Sequence, residues 1–88
     1  MKKVLITAGA SGLGKAMATA FDAAGASIWI VDIDQDALQN CPEHWHKNQV
    51  DVTNEAAVEA LFKTLKQEWG SLDVLCSNAG IAGPTAKL

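Results

Sequence analysis

The chain has 88 residues, of which 49% are hydrophobic and 19% charged, and its formal net charge is −3. This length fits one small domain at most, and the composition is that of a folded protein rather than a disordered one. The mild acidity and the lack of a Lys or Arg cluster argue against binding to nucleic acid or to an anionic membrane. No apolar run approaches the roughly 18–20 residues of a membrane span.

The first strand and helix patterns occupy the N-terminal part of the chain. Residues 3–8 form an apolar, β-rich run that predicts a strand buried on both faces. A helix is predicted next, and Gly25 is placed to end it. Its expected buried face has helical spacing and consists of Leu13, Met17, Ala20, Phe21 and Ala24.

The middle of the chain repeats the same alternation. Residues 27–32 predict a second buried strand, and Asp34 is placed to cap a short helix. A short third strand is predicted over residues 49–52. The two cysteines, Cys41 and Cys76, are too few for a disulfide framework and indicate reduced, buried thiols in a cytoplasmic protein.

A longer helix and a fourth strand complete the pattern. Thr53 or Asn54 caps the helix, Gly70 ends it, and residues 72–77 form the strand. The expected apolar stripe of the helix is Val58, Leu61, Phe62, Leu65 and Trp69. Regular alternation with short connections predicts an α/β fold with parallel strands and helical crossovers.

The strongest chemical signal is a glycine-rich turn between the first strand and the first helix. Residues 7–14 read Thr-Ala-Gly-Ala-Ser-Gly-Leu-Gly, with Gly9, Gly12 and Gly14. Glycine adopts the backbone angles of a tight turn, and its missing side chain lets a diphosphate approach the N–H groups at the helix N-terminus. The turn therefore predicts a phosphate site, the alternative being a turn that binds nothing.

Two kinds of phosphate site fit this turn. Gly9, Gly14 and Lys15 match the start of a nucleoside-triphosphate P-loop. Ala16, however, stands where that motif needs a Ser or Thr hydroxyl for Mg²⁺. Asp32 ends the second strand 18 residues after Gly14, about where a dinucleotide-binding fold places the acid that binds the adenosine ribose. A dinucleotide is therefore favoured, and a solvated or helix-capping Asp32 is the alternative.

Asp32 also bears on the choice of cofactor. A 2′-phosphate beside its carboxylate would meet roughly 1–4 kcal/mol of repulsion per charge pair. No Arg or Lys lies between Lys15 and Lys47 to offset this repulsion. The sequence therefore favours NAD over NADP.

Together these features resemble the short-chain dehydrogenase/reductase family. The family's cofactor signature, T-G-x-x-x-G-x-G, corresponds to residues 7–14, and its N-N-A-G landmark corresponds to residues 77–80, Ser-Asn-Ala-Gly. Asp51 and Val52 resemble the D-V pair that lines the adenine site in that family. The resemblance covers essentially the whole chain and implies a partial Rossmann-like, doubly wound parallel sheet of about four strands in the order 3-2-1-4.

The resemblance also implies a role for each part of a cofactor site. Asp32 would hold the adenosine ribose, while Asp51 and Val52 would line the adenine site. The diphosphate would be held by Gly12, Leu13 and Gly14, in a loop shaped by Gly9 and Ser11. The floor near the nicotinamide ribose would be lined by Asn78, Ala79 and Gly80.

An NAD-dependent oxidoreductase is the implied parent protein. Members of the family transfer a hydride between nicotinamide and the carbon of an alcohol or ketone, with a downstream Ser and a Tyr-x-x-x-Lys pair. This sequence contains no Tyr. We therefore expect residues 1–88 to be the N-terminal part of an NAD(P)-binding domain, inactive without a C-terminal catalytic half. A non-catalytic dinucleotide-binding module and a P-loop phosphotransferase are the alternatives. The family's long-helix interface implies a homo-oligomer of the parent protein.

Some motif positions depart from the family pattern. Ala8 replaces the first glycine of the signature, where we expect Gly9 to supply flexibility and the added methyl to weaken diphosphate binding. Ser77 replaces the first Asn of N-N-A-G, which is a mild change. Ser11 occupies a position where NADP-preferring members often carry a basic residue, in agreement with Asp32.

The two histidines, Cys76 and the fourth strand give weaker indications. His44 and His46 have the spacing of metal ligands on a strand, but we expect a surface position because no further ligand stands at a suitable spacing. Cys76 is expected to be a buried strand residue rather than a nucleophile. The fourth strand has no fifth strand beside it, so its open apolar edge predicts a marginal or self-associating chain.

Overall fold

A four-stranded parallel sheet with helices on both faces is formed by residues 2–77, the part of the chain that the computed structural model describes. The elements alternate along the chain as β1 (Lys3–Thr7), α1 (Gly12–Ala23), β2 (Ser27–Asp32), α2 (Gln35–Gln39), β3 (His46–Gln49), α3 (Glu55–Trp69) and β4 (Val74–Ser77). The strand order is β3-β2-β1-β4. The predicted fold class and strand order are confirmed.

The strand register brings the functional ends of the strands together. Thr7, the last residue of β1, pairs with Val31 of β2 on one side and with Ser77 of β4 on the other. Asp32 pairs with Gln49 at the end of β3. The carboxyl ends of parallel strands therefore meet at one edge of the sheet, where ligands bind in open α/β folds.

The two central strands carry the core on both faces. Successive residues of a strand point to opposite sides of the sheet. On one side, the strands pack against Ala18 of α1 and Leu38 of α2 through Val4, Ile6, Ile28 and Ile30. On the other side, strand residues pack with α3, namely Leu5, Trp29 and Val31 with Leu61 and Leu65.

The predicted buried face of α1 is wrong by a partial rotation. Leu13 is 73% exposed, and the face against the sheet is formed by Gly14, Met17, Ala18 and Phe21. The cause is the close approach of Gly14 to Ala8, directly after β1, which fixes the helix rotation so that Gly14 and Ala18 face the sheet. Leu13 is thereby turned to the solvent at the start of the helix.

The predicted stripe of α3 is correct except at one edge. Leu61 and Leu65 are buried and Trp69 packs against them, but Phe62 is 42% exposed. The sheet contacts a narrower arc of the helix than the apolar pattern covers, and Phe62 lies beyond that arc. Asn54 rather than Thr53 caps α3, because its side chain accepts a hydrogen bond from the N–H of Ala57 at 3.1 Å.

Two strands differ from their predicted bounds. β3 is His46–Gln49 rather than residues 49–52, because this edge strand is built from mostly polar residues that carry no apolar alternation. Val50 and Val52, which suggested the strand, pack as loop residues against the α3 side of the core. β4 begins at Val74, and its Leu75 is 47% exposed at the outer strand of the sheet.

No helix within residues 2–77 is long and apolar enough to cross a membrane.

Asp22, near the end of α1, is hydrogen-bonded to the loop before β3, and these hydrogen bonds predict that the stability of the fold depends on pH. Its Oδ2 accepts a hydrogen bond from Trp45 Nε1 at 2.8 Å and lies 2.7 Å from His44 Nε2. These hydrogen bonds, first from Trp45 and then from His44, lower the pKa of Asp22 below its ordinary value of 3.8. A carboxylate with a lowered pKa stabilises the fold above its unfolded pKa and loses that contribution as the pH falls through the folded value.

Replacing Asp22 with Asn is therefore expected to reduce the loss of stability on acidification below about pH 4. Urea unfolding at a series of pH values measures the effect. Asp36→Asn is the matched control, since Asp36 is exposed on α2 and its carboxylate makes no hydrogen bond within the described part of the chain. Equal acid sensitivity of the Asp22 variant and the unmodified chain would contradict the assignment.

Candidate functional site

The glycine-rich turn places the start of α1 at the carboxyl edge of the sheet. The turn follows β1, and α1 begins at Gly12 with Ser11 as its extended N-cap. Within residues 2–77, the Ser11 side chain makes no capping hydrogen bond, whereas Asp34 and Asn54 cap α2 and α3. The first N–H groups of a helix have no intrahelical acceptor, so those of α1 stay available to an anion.

Two of the glycines are required by close approach inside the protein. A Cβ on Gly14 would overlap the carbonyl oxygen of Ala8. A Cβ on Gly9 would lie 2.6 Å from Cγ2 of Ile30 and 3.0 Å from the carbonyl oxygen of Ile6. The absence of a side chain at Gly14 therefore allows α1 to pack closely against the turn, and its absence at Gly9 allows the turn to pack closely against β2.

Gly12 has a different role. Its φ is +58°, and a Cβ on it would meet no atom of the described residues within 4 Å. The residue therefore supplies a left-handed backbone angle and leaves open space in front of the helix N-terminus. A diphosphate needs this space to reach the backbone N–H groups, so the turn fits such a group.

Ala8 carries the strain of the turn. Its φ is +52°, and it is the one non-glycine residue with positive φ among residues 2–77, while Gly9 lies outside that region. The expectation that Gly9 supplies the flexibility is therefore wrong. The turn requires the left-handed angle at the position where the family signature has glycine, and this chain adopts it with an alanine.

Ala8→Gly is expected to stabilise the chain by about 0.5–1 kcal/mol. The left-handed angle costs an L-residue about 1–2 kcal/mol, and the greater freedom of glycine in the unfolded chain offsets part of the gain. The free energy of unfolding from urea titration measures the difference. A loss of stability in this variant would show that the angle at Ala8 is not strained.

Asp32 lies beside the turn, as predicted. Its Oδ2 accepts a hydrogen bond from the N–H of Ala10 at 3.2 Å, and its Oδ1 accepts one from the N–H of Asp34 at 3.0 Å. The neighbouring carbonyl of Val31 accepts from the N–H of Gly9 at 3.2 Å. The end of β2 is thus joined to the turn by two hydrogen bonds.

A cavity of about 190 Å³ opens beside Asp32 between the ends of β2 and β3. It brings the predicted residues Asp32, Asp51 and Val52 together in one place. The full lining is Ala8, Val31, Asp32, Ile33, Val50, Asp51, Val52 and Thr53. Its mainly apolar walls and carboxylate rim suit a flat heterocycle joined to a sugar.

Asp51 is held in an ionised state at the rim of the cavity. Its Oδ1 accepts hydrogen bonds from Oγ1 of Thr53 at 2.6 Å and from the N–H of Thr53 at 2.9 Å. The side-chain hydrogen bond from Thr53, followed by the backbone one, lowers the pKa of Asp51 below its ordinary value. A carboxylate that accepts such bonds is favoured in its charged form.

Sequence reasoning missed five of the lining residues, namely Ala8, Val31, Ile33, Val50 and Thr53. Ile33 is 63% exposed directly after Asp32, and an apolar residue outside the end of a buried strand is a signal that could have found it. Thr53 was considered only as a helix cap. The Asp-x-Thr spacing from Asp51 is typical of a turn in which the carboxylate accepts from the residue two positions on.

Some predicted residues are not among those that line the cavity. Ser11 and Leu13 lie at the start of α1, where both are exposed. Asn78, Ala79 and Gly80 lie outside the described residues.

The weaker signals fall elsewhere in the structure. His44 contacts Asp22, while His46 stacks on Trp29 with ring centroids 4.7 Å apart. Within residues 2–77, no group of three or more His, Cys, Asp or Glu side chains is placed to hold a metal ion. Cys41 is buried, whereas Cys76 is half-buried rather than buried as expected, because β4 is an outer strand of the sheet.

Comparison with known proteins identifies the family. The family model for short chain dehydrogenases matches residues 2–88. Short-chain dehydrogenase reductase 3c of Arabidopsis thaliana is 42% identical over 94% of this chain and 34% of its own length. The chain spans about a third of the length of the curated relatives that it matches.

Solved structures agree with the sequence relatives. A short chain dehydrogenase from Bacillus anthracis is 32% identical with a TM-score of 0.80, over 89% of this chain and 34% of the other. The 3-ketoacyl-(acyl-carrier-protein) reductase of Brucella melitensis, solved in complex with NADH, is 31% identical with a TM-score of 0.76, over 84% of this chain and 32% of the other. With this sheet, this turn and a match over almost its whole length, the chain belongs to the short-chain dehydrogenase family.

Proposed function

We propose that residues 1–88 form the N-terminal, cofactor-binding part of an NAD-dependent oxidoreductase. The observation that carries the proposal is the junction of Asp32 with the glycine-rich turn at the mouth of one cavity. A carboxylate that can accept from a ribose and the first N–H groups of a helix, which can bind a diphosphate, are thereby joined through the same turn, and this supports the proposal. NAD carries both groups, and its nicotinamide accepts or donates a hydride when bound.

Each part of the site has a proposed role. Asp32 accepts hydrogen bonds from the adenosine ribose, while Asp51 and Val52 line the adenine site. The diphosphate lies at the start of α1, where Gly12 leaves open space. Gly9 and Gly14 support this arrangement by allowing the close packing of the turn, and Ser11 and Leu13 flank it. Asn78, Ala79 and Gly80 are proposed as the floor near the nicotinamide ribose, on the strength of the family resemblance.

NAD is proposed in preference to NADP. Asp32 is half-buried at the cavity, and no Lys or Arg is among the residues that line it. A 2′-phosphate at this position would face the Asp32 carboxylate with no cation among the lining residues to offset the repulsion. The Listeria innocua relative named NAD-dependent glycerol dehydrogenase, 35% identical over 92% of this chain, is consistent with this preference.

The parent protein is proposed to act on an alcohol or ketone and to form a homo-oligomer in the cytoplasm. Relatives are named as dehydrogenases and reductases, which supports a small-molecule substrate. Exposed Phe62 on α3 supports an interface on that helix. Both cysteines are free, as in a reducing compartment. Residues 1–88 alone are proposed to bind the cofactor without turnover, since the family's catalytic pair needs a Tyr and the chain has none.

A competitive titration tests the proposed function. NADH fluorescence is followed as the 88-residue chain is added, first alone and then in the presence of ATP with Mg²⁺. We expect NADH to bind and ATP–Mg²⁺ to displace it poorly, because Ala16 offers no hydroxyl for the metal. Tight binding of ATP–Mg²⁺ without binding of NADH would overturn the proposal in favour of a P-loop phosphotransferase.

A further inference from the structure

Ala10, in the middle of the glycine-rich turn, is held on both sides of its backbone. Its N–H donates to Oδ2 of Asp32 at 3.2 Å. Its carbonyl oxygen accepts from Sγ of Cys41 at 3.6 Å. The two partners lie 22 and 31 residues further along the chain, and Ala10 itself is 2% exposed. Three separate segments of the chain therefore meet at one buried residue.

The turn needs such support because its conformation is strained. Ala8 holds a φ of +52°, which an L-residue rarely adopts without outside restraint. The Ser11 side chain makes no hydrogen bond that would fix the helix start, as far as residues 2–77 show. The hydrogen bonds from Ala10 to Asp32 and from Gly9 to Val31 hold the turn against β2, and the hydrogen bond from Cys41 ties it to the end of α2.

The thiol of Cys41 is suited to donate a hydrogen bond to the carbonyl oxygen of Ala10. It follows α2, is buried, and its Sγ also lies 3.4 Å from the carbonyl oxygen of Ala37 within that helix. Burial raises the pKa of the Cys41 thiol above its ordinary value. The sulfur therefore keeps its proton at neutral pH, and both carbonyl oxygens lie within hydrogen-bond distance of it.

Asp32 is able to hold the turn and a ligand together. An ionised carboxylate offers about four lone-pair sites on its two oxygens. The N–H groups of Ala10 and Asp34 occupy one site on each oxygen. Among residues 2–77 no other donor bonds to these oxygens, which leaves the remaining sites for the hydroxyl groups of a ribose.

We propose that Asp32 and Cys41 form a clamp on Ala10 that sets the glycine-rich turn in its diphosphate-binding shape before the cofactor arrives. Cys41 is then a positioning residue that acts through the turn, and Asp32 has a positioning role besides its contact with the ribose. That the turn binds a diphosphate rests on the proposed function, whereas the hydrogen bonds of the clamp are present in the ligand-free chain.

Amide hydrogen exchange of the ligand-free chain tests the clamp directly. The Ala10 N–H is expected to exchange about tenfold or more slowly than the Ser11 N–H, the factor that corresponds to about 1.4 kcal/mol. Ser11 is the internal reference, since its N–H makes no hydrogen bond within the described residues. Equal exchange at the two amides would overturn the proposal without any variant having to fold.

Variants of the cysteine separate positioning from general packing. Cys41→Ala removes the donor and is expected to speed Ala10 exchange and to weaken NADH binding, each by about threefold. Cys41→Ser restores a donor and is expected to recover both values. Cys76→Ala is the matched control, since it removes the other free thiol, which packs against the same core cluster but takes no part in either hydrogen bond to Ala10.

The outcomes distinguish the clamp from the proposed function. Equal effects of Cys41→Ala and Cys76→Ala, or no recovery in Cys41→Ser, would overturn the clamp even if NADH binds. A protected Ala10 amide in a chain that does not bind NADH would overturn the proposed function alone.

Discussion

Asp32→Asn is expected to lower the preference for NADH over NADPH by about tenfold or more. The substitution removes the charge that repels a 2′-phosphate, and the repulsion amounts to roughly 1–4 kcal/mol per charge pair. The ratio of the two dissociation constants is the quantity to measure, because damage to the turn that affects both cofactors equally cancels in it. In the unmodified chain we expect NADH to bind the more tightly.

Asp51→Asn is the matched control for this ratio. Asp51 is a second carboxylate on the same cavity, but its Oδ1 accepts hydrogen bonds from Thr53 and not from the glycine-rich turn. We expect its replacement to change the binding of both cofactors by a similar factor. If the unmodified chain binds NADPH as tightly as NADH, or if the ratio is insensitive to Asp32, the proposed role of Asp32 is wrong.

Gly14→Ala is expected to destabilise the chain by about 3 kcal/mol or more and to abolish NADH binding. The added methyl would overlap the carbonyl oxygen of Ala8, a backbone atom that cannot move without opening the turn. The helix start and the end of β1 would separate, so the N–H groups would no longer face one ligand. Urea unfolding and NADH fluorescence measure the two effects.

Gly12→Ala is expected to destabilise the chain less than Gly14→Ala does. Its methyl would meet no atom within 4 Å among residues 2–77, but the residue has a φ of +58°. The expected cost is therefore only the backbone strain, about 1–2 kcal/mol. A Gly12 variant less stable than the Gly14 variant would contradict the packing that we describe for the turn.

The buried strands were predictable from the sequence because they are continuous apolar runs, whereas their order in the sheet was an expectation from the family resemblance. β2 was located at both ends, since Ser27–Asp32 is buried through its interior and bounded by polar residues. β3 was misplaced because an edge strand with exposed polar residues has no apolar pattern to read. The rotation of α1 was also missed, since it depends on the contact between Gly14 and Ala8 rather than on the apolar spacing.

The candidate site was predictable where side chains carry the chemistry. Asp32 was identified from its position at the end of the second strand and Asp51 from the D-V pair of the family, and the structure brings them to one cavity. The strain at Ala8 and the clamp on Ala10 were not predictable, because both depend on backbone angles and on contacts between segments 22 to 31 residues apart. Residue types alone do not encode such contacts.

A structure of the chain with bound NADH tests the central claim most directly. The account predicts the diphosphate against the backbone N–H groups at the start of α1, and the adenosine ribose on the carboxylate of Asp32. A dinucleotide bound away from the glycine-rich turn, or a ribose that makes no contact with Asp32, would contradict it.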